Sequence, residues 1–296
     1  MDIESKKFLG QPKNFVSIFN ALLFDGQSVL KPEYLKDENS ELVMNVSSKH
    51  VDIIKRYEDG TYLDLFVIES QSYVDPSMVA RVMEYESVAR MRYIRQNFKK
   101  HVPMHTRLPM ILTVVLYVGE SKWNAAKRLS ELEIIHPGFE DMFNEFKLNL
   151  IELNTNHKYN TGEKATQDFF DLLRMIYRKQ ILKEDLDREF NRDALYFAYV
   201  VTKNKELLNI YQESEKGDVK VCRALDEMFE ESTNKGIQMG IKQGFEQGIE
   251  QGIEQGSENN RKEMYRTMVN KGFSISSIAS IFSVSEESIE RLLMKA

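Results

Sequence analysis

Residues 49–71 read KHVDIIKRYEDGTYLDLFVIESQ, and this stretch decides the fold predicted for the chain. It contains two runs rich in β-branched and aromatic residues, separated by Asp59-Gly60. That dipeptide is the strongest short-range signal for a β-hairpin, because a type I′ turn needs positive φ at both central residues. If these two residues form the loop, Glu58 pairs with Thr61 and the flanking strands are antiparallel.

One face of this hairpin collects the polar groups of a candidate metal site. In the register just described Asp52 faces Val67, and the alternation of side chains puts Asp52, Glu69 and Gln71 on the same face. Asp52 and Glu69 are then diagonal neighbours with Cα atoms about 7–8 Å apart. Magnesium prefers carboxylate and carbonyl oxygens and activates water for phosphodiester cleavage. We therefore predict Asp52, Glu69 and the backbone carbonyl of Ser70 as metal ligands. Gln71 would orient the attacking water.

The same pattern allows a second interpretation, in which Asp52 and Glu69 are ordinary polar residues on a solvated face of the hairpin. Leu65 and Val67 weigh against it, because an apolar stripe is not typical of a solvated face. Both interpretations stay open at this point. The ion is open as well, since two carboxylates and a carbonyl suit Mg²⁺, Mn²⁺ and, more loosely, Ca²⁺.

The residues around the hairpin resemble a known family. Residues 51–96, including IESQSYVDPSMVARVMEYESVARMRYIRQ, are similar to the Rpn family of recombination-promoting nucleases, which are also described as transposase-like. This family belongs to the PD-(D/E)xK nuclease superfamily, whose metal is bound by an aspartate on one core strand and an acid-x-lysine motif on the next. The resemblance implies that Asp52, Glu69 and Gln71 occupy these positions, with glutamine in place of lysine. One departure is Ser17, where relatives often carry an acidic residue.

The resemblance extends over nearly the whole chain and implies a function. The opening KNFVSIFNALLFDGQSVLKPEYL is similar to the first helix of the family, and the glycine-punctuated end is similar to its usual tail. The implied activity is a divalent-metal-dependent DNA endonuclease with low sequence specificity, linked to DNA recombination or mobile elements. The alternative is a catalytically weak or inactive oligomeric protein that binds DNA or another partner, in defence or regulation. The form of the DNA substrate stays open.

Composition limits the other classes of function. The chain has 296 residues, of which 42% are apolar, enough for a sizeable core. Its one cysteine, Cys222, argues against a disulfide framework and a cysteine-based zinc site. The longest apolar run, 108–118, is too short to cross a bilayer, and the N-terminus lacks the apolar core of a signal peptide. We therefore expect a cytoplasmic protein without membrane contact. With a net charge of −6, any DNA-binding surface has to be local.

Such a local basic surface follows the hairpin. No acidic residue occurs between Ser87 and Gly119. A helix is expected to begin here with Asp75 as N-cap and Pro76 at its first position. Its basic residues either contact phosphates or form a solvated face that complements the helix dipole. The residues predicted to bind DNA are Arg81, Arg92, Arg95, Lys99 and Lys100.

The predicted fold class is α/β, with the mixed central sheet of a PD-(D/E)xK core flanked by helices and followed by an all-helical C-terminal region. Helical spacing of apolar residues predicts a helix over residues 12–24. Further strands are expected within 42–46, 108–118 and 146–153. The predicted domains are a nuclease domain (1–160), a helical domain (161–232), a glycine-repeat segment (233–258) and a helix-turn-helix-like tail (259–296).

Glycine recurs at every fourth position from Gly236 to Gly256. If helical, this stripe of six glycines costs about 1 kcal/mol per glycine relative to alanine, so a partner helix is expected to compensate. The partner would be a second copy of the chain, giving a homo-oligomer, or the helical domain itself. A flexible tether is the alternative. In the tail, Glu286 and Glu287 open the second helix and disfavour DNA reading there, and Ser285 is a candidate cap.

Overall fold

The computed structural model describes residues 3–38, 53–61, 63–214 and 217–294. Asp52 and the strand predicted over 42–46 lie outside these residues. The chain divides into two compact units, Met1–Glu227 and Met228–Ala296. Each unit is described by itself.

A five-stranded mixed sheet forms the centre of the first unit, in the order β1-β2-β3-β4-β5. The first three strands are antiparallel neighbours, whereas β3, β4 and β5 are parallel. A parallel step needs a crossover connection, and the helix between β3 and β4 provides it. The strands are β1 (Leu35–Asp37), β2 (Ile53–Glu58), β3 (Leu63–Gln71), β4 (Ile111–Tyr117) and β5 (Asn149–Glu152).

The β2–β3 hairpin is present, but its predicted register is wrong by two residues. Glu58 pairs with Leu63 instead of Thr61, so the loop has four residues instead of two. The side chain of Asp59 accepts the N–H of Thr61 at 2.9 Å, a local turn that lengthens the loop. Because side chains alternate with period two, a shift of two residues leaves each described side chain on its predicted face.

Helices cover both faces of the sheet. On one face, α2 (Pro12–Phe24) packs through Phe19, whose ring centroid lies 4.8 Å from that of Phe66. This helix confirms the prediction over residues 12–24. On the other face, Tyr85 and Ala89 of α3 (Met78–Asn97) join a buried cluster with Leu65 and its neighbours. The first unit therefore has the predicted α/β architecture.

The start of α3 differs from the prediction. The helix begins at Met78 with Ser77 as its N-cap, so Asp75 is not the capping residue. Asp75 instead accepts hydrogen bonds from the backbone N–H and the hydroxyl of Ser77, at 2.8 and 2.7 Å, in a turn that precedes the helix. A short polar side chain that bonds two residues ahead is typical of such turns.

The predicted strands 108–118 and 146–153 are confirmed in shorter form by β4 and β5. Trp123, which follows β4, is 3% exposed and packs edge-on against Tyr117. The indole therefore has a structural role at the end of β4.

Four further α-helices and a small β-ribbon belong to the described part of the first unit. Phe8 of α1 contacts the rings of Phe169 and Phe197, with centroids 5.6 and 4.8 Å away. The predicted domain boundaries at 160/161, 232/233 and 258/259 stay predictions. The elements are α1 (Ile3–Leu9), α4 (Lys164–Arg178), α5 (Arg192–Thr202), α6 (Lys205–Glu213) and the antiparallel strands β6 (Glu189–Phe190) and β7 (Val219–Lys220).

A buried charge network ties α4 to the segment before α5. Asp168 is 1% exposed and accepts hydrogen bonds from Lys164, Arg188 and the backbone N–H of Asn191, each at 2.7 Å. Arg188 also donates to Asp171 at 2.9 Å. Because both acids are paired and hydrogen-bonded, their burial is tolerated.

The helix α7 (Cys222–Asn270) contains the whole glycine repeat, so the repeat is helical. Cys222, at its start, is a buried free thiol, and burial raises its pKa to about 12. In the second unit, α8 (Ile275–Phe282) and α9 (Glu286–Met294) follow. A small core holds them together, and Ser285 accepts the N–H of Ser288, which confirms its capping role. The buried residues of this core are Tyr265, Ile278, Ala279 and Ile289.

Candidate active site

Two of the predicted site residues lie side by side on β3, the central strand of the sheet. Glu69 is 2% exposed and Gln71 is 6% exposed. The amide Nε2 of Gln71 donates to Oε1 of Glu69 at 2.9 Å. Residues two apart on a strand share a face, and the long stretch of β-forming residues around them explains why they are held in regular strand geometry.

Arg81 of α3 reaches the same carboxylate. Its Nη2 donates to Glu69 Oε1 at 3.1 Å, and its Nη1 donates to Asp75 Oδ2 at 2.5 Å. The hydroxyl of Tyr85, one helical turn further on, accepts from Arg81 Nη2 at 2.9 Å. The sequence placed Arg81 near the site as a phosphate contact, whereas the structure brings it onto Glu69. DNA contact by Arg81 stays a prediction.

Sequence reasoning missed Asp75 and Tyr85 as partners of Arg81. A signal was available for Tyr85, because residues four apart on a helix share a face. For Asp75 the predicted capping role concealed the contact, since a cap would use its carboxylate on the helix itself.

The electrostatics of this cluster keep Arg81 charged. Burial by itself would lower the pKa of Arg81, but its hydrogen bonds to Asp75 and Tyr85 and the charge of Glu69 outweigh burial and raise that pKa above its usual value. Burial would raise the pKa of Asp75, yet hydrogen bonds from Ser77 and Arg81 bring it below the ordinary value. Glu69 therefore faces a permanent positive charge.

Arg81 supplies the positive charge that Gln71 lacks. A glutamine at the lysine position of an acid-x-lysine motif has no positive charge to offer to a developing negative charge. The guanidinium of Arg81, bonded to the same carboxylate as Gln71, carries that charge from the neighbouring helix. Guanidinium groups bind phosphate and carboxylate oxygens through directional hydrogen bonds.

The donor groups of the site determine which metal ion would fit there. No cluster of three or more His, Cys, Asp or Glu side chains that could hold a metal is found among the described residues. Those residues contribute the carboxylate of Glu69 and the carbonyl of Ser70, while Asp52 lies outside them. Magnesium usually keeps several waters and takes only one or two protein carboxylates, so this donor set suits it.

Glu86, on α3, is another buried acid that sequence reasoning missed. It is 4% exposed, and its Oε1 accepts the backbone N–H of Thr113 in β4 at 3.1 Å. Its Oε2 pairs with Arg90 at 2.9 Å. These contacts give Glu86 a structural role, because it satisfies a strand N–H and fixes α3 on the sheet.

The other predicted DNA-binding residues lie at and after the end of α3. Arg95 is in the last turn of the helix, and Lys99 and Lys100 follow it, all three exposed. Arg92 is half-buried. This placement gives a basic surface in the first unit, and its contact with DNA stays a prediction.

Ser17, the departure from the family pattern, is 3% exposed. Its hydroxyl lies 2.8 Å from the backbone oxygen of Asn14 and 2.8 Å from the hydroxyl of Thr166 in α4. Ser17 therefore joins α2 to α4 through uncharged hydrogen bonds.

The sequence matches the family described as "Putative transposase, YhgA-like" over residues 6–207, which is more than half of the chain and includes Glu69, Gln71 and Arg81. No curated protein and no solved structure gives a significant match. In the part of the chain that the structure describes, no helix has the length and hydropathy needed to cross a lipid bilayer. The match confirms the resemblance to the transposase-like Rpn proteins, and the chain belongs to the YhgA-like transposase family.

Proposed function

We propose that the protein is a divalent-metal-dependent DNA endonuclease with low sequence specificity that acts in recombination or on mobile elements. The observation that carries this proposal is the buried cluster of Glu69, Gln71 and Arg81 on the central strand and the adjacent helix. The family description supports DNA as the substrate, because transposases act on DNA. Buried charged groups with shifted pKa values cluster at functional sites, and this supports the proposal.

In this proposal Asp52, Glu69 and the backbone carbonyl of Ser70 hold the ion. Mg²⁺ is favoured, and the same oxygen ligands also suit Mn²⁺ and, more loosely, Ca²⁺. Asp52 directly precedes Ile53, and Ile53 pairs with Ile68, the residue before Glu69. When bound, the ion supplies an activated water and neutralises charge on the phosphate.

The chain's own residues position and balance these groups. Gln71 holds Glu69 by its amide hydrogen bond, and the same amide group is available to orient a water near the carboxylate. Arg81 donates to the same oxygen, Glu69 Oε1, and adds a positive charge close to the site of reaction. Asp75 and Tyr85 keep the guanidinium of Arg81 in place.

DNA binding by this protein would rest on charge. Arg92, Arg95, Lys99 and Lys100 would contact phosphates along the strand, and such contacts carry no sequence information. This supports the low sequence specificity of the proposal. A salt-dependent affinity is expected for the same reason.

A second candidate function is DNA or partner binding without effective hydrolysis. The ion pair between Arg81 and Glu69 favours it, because a carboxylate that is already neutralised attracts a cation less strongly. This candidate predicts retained DNA binding together with negligible cleavage in any divalent ion.

We also infer self-association through the helix from Gly236 to Gly256. A Cβ atom added at any of the six glycines would meet nothing within 4 Å, so this stripe is open along its length. The apolar side chains that follow the glycines are exposed, with Ile241 at 67% and Phe245 at 68%. A second copy that packs on this stripe would bury them and offset the helix-propensity cost of the glycines.

Nicking of supercoiled plasmid by the purified full chain tests the proposed activity. Glu69→Gln keeps the shape of the side chain and removes its charge, so nicking in Mg²⁺ should fall by at least about 100-fold. Asp52→Ala should have the same effect, while DNA binding in both variants is retained. Glu84→Gln, at an exposed position of the same helix as Arg81, is the matched control and should nick normally. Full nicking by Glu69→Gln would refute the assigned site.

A further inference from the structure

A separate cavity lies between the sheet and the C-terminal half of α3. Its volume is about 280 Å³. It shares no residue with the cluster of Glu69, Gln71 and Arg81, so it is a different site in the same unit. Its lining includes Arg56, Leu65, Ala89, Arg92, Tyr93 and Gln96.

The walls of this cavity combine an apolar floor with polar sides. Leu65 and Ala89 are 7% and 2% exposed and form part of the buried cluster beneath α3. The ring of Tyr93 and the amide of Gln96 line the same space. Small-molecule sites typically measure roughly 300–1,000 Å³ and join apolar walls to a few polar groups, so this cavity suits a ligand at the small end of that range.

The charges in the cavity favour an anion. The Nε of Arg56 is buried, and no hydrogen-bond acceptor for it is found among the described residues. Glu38 Oε2 lies 3.7 Å from this atom, an ion pair too long for a hydrogen bond. For Arg92, the described parts of the chain provide no ion-pair partner within 4.0 Å. The guanidinium groups of Arg56 and Arg92 outnumber the carboxylate of Glu38, so the cavity has a net positive charge.

The cavity lies on the same face of the sheet as the proposed centre. Arg56 pairs with Leu65, which is four residues before Glu69 on β3 and shares its face. Four residues of a strand span about 13 Å. One DNA strand advances about 3.4 Å per nucleotide along a duplex, so the cavity lies within about four nucleotides of a phosphate at Glu69.

We propose that this cavity binds one unpaired nucleotide of the DNA strand that is cut. The base would lie on Leu65 and Ala89 against the ring of Tyr93, and the phosphate would contact Arg56 and Arg92. A nucleotide inside a duplex is paired and stacked, so it enters only when extruded or already single-stranded. The inference rests on the proposed nuclease function and specifies its substrate as DNA with a single-stranded or frayed segment.

Fluorescence of 2-aminopurine deoxyribonucleoside monophosphate tests the cavity without cleavage. The full chain carrying Glu69→Gln is titrated in EDTA, and stacking on Tyr93 should quench the fluorescence. Arg92→Ala should weaken binding about tenfold, the loss expected for a hydrogen bond to a charged group. Tyr93→Leu should remove the quenching. Arg128→Ala, which removes the same charge from an exposed position outside both the cavity and the predicted DNA contacts, is the matched control and should leave nucleotide binding unchanged.

Two competitors separate the parts of the ligand. The nucleoside without its phosphate should bind more weakly than the monophosphate, and inorganic phosphate should compete only at higher concentration. Equal binding of phosphate and nucleotide would overturn the proposal, because the cavity would then be a simple anion site. Absence of quenching, or equal loss in Arg92→Ala and Arg128→Ala, would overturn it too.

Cleavage assays keep this inference apart from the proposed activity. In the chain with Glu69 intact, Arg92→Ala should lower cleavage of a single-stranded overhang more than cleavage of a blunt duplex. Plasmid nicking with no nucleotide binding would refute the cavity and leave the nuclease proposal standing. Nucleotide binding with no nicking would refute the nuclease proposal alone.

Discussion

The Glu69 cluster and the glycine helix are both marked by strong sequence patterns, yet their surroundings are opposite. Glu69 is 2% exposed and held by Gln71 and Arg81, whereas the glycine stripe of α7 has nothing within 4 Å of an added Cβ. The charged residues around Glu69 bind one another within the first unit. The glycine stripe instead offers an open face on which a partner could pack. The contrast shows that a strong sequence pattern predicts a helix or a strand. What that helix or strand packs against depends on the rest of the chain.

The largest expected effect tests how strongly buried charges hold the first unit. Asp168→Ala removes the buried acid that pairs with both Lys164 and Arg188, although Arg188 keeps Asp171 and Lys164 keeps Asp218. Removing one partner of a buried ion pair costs about 3–5 kcal/mol of unfolding free energy. Urea denaturation of the full chain measures it.

Glu246→Ala in the glycine helix is the control for that measurement. Its ion pair with Lys242 is exposed and 4.0 Å long, so its loss should be close to zero. Equal effects of the two substitutions would break the contrast between the two regions.

An intermediate effect is expected when the glycine stripe is filled. Gly244→Ala with Gly248→Ala adds two methyl groups to the open face and stabilises an isolated helix by about 1 kcal/mol per residue. If a second copy packs closely on this face, the same methyl groups obstruct it, and the association should weaken about tenfold or more. Sedimentation equilibrium measures the association, and circular dichroism measures the helix.

Gln243→Ala with Gln247→Ala is the matched control, because it changes two neighbouring positions of the same helix without filling the stripe. Unchanged association in the glycine variant would contradict self-association through this face. The glycines would then have no role in the association of two copies.

The smallest expected effect is the change in unfolding free energy when Asp75, a partner of Arg81, loses its charge. Since hydrogen bonds outweigh burial and lower the pKa of Asp75 in the folded state, its charge stabilises the fold above the unfolded pKa of about 3.9. That stability is lost as the pH falls through the lower, folded value. Asp75→Asn should therefore cost about 1 kcal/mol at pH 7 and progressively less below pH 4.

Urea titrations at several pH values check this dependence. A difference between wild type and Asp75→Asn that stays constant from pH 7 to pH 3 would contradict the assigned hydrogen bonds. Ser77→Ala, which removes one of the donors to Asp75, should reduce the same pH dependence in part.

Much of the first unit was predictable because its signals are local. The helix over 12–24, the hairpin and the strand after α3 follow from periodicity and turn residues. The register was wrong because a side-chain bond of Asp59 decided the loop length. Period two nevertheless kept Glu69 and Gln71 on one face, so the predicted pairing of these two residues in the site was unaffected.

Long-range contacts were out of reach of sequence reasoning. The hydrogen bond between Ser17 and Thr166 joins residues far apart in the chain, and no local sequence pattern predicts it. The same holds for Glu86, whose carboxylate accepts a strand N–H from β4. Arg81 was predicted to bind DNA, whereas its ion pair with Glu69 depends on how α3 packs on the sheet.

The buried thiol of Cys222 makes this chain well suited to spectroscopic labelling. With a pKa near 12, it carries almost no reactive thiolate at neutral pH, and it is the only cysteine in the sequence. A cysteine introduced at an exposed position such as Gln247 would therefore be the one that reacts with a spin label. Distances between labels on two copies would then report directly how neighbouring chains align.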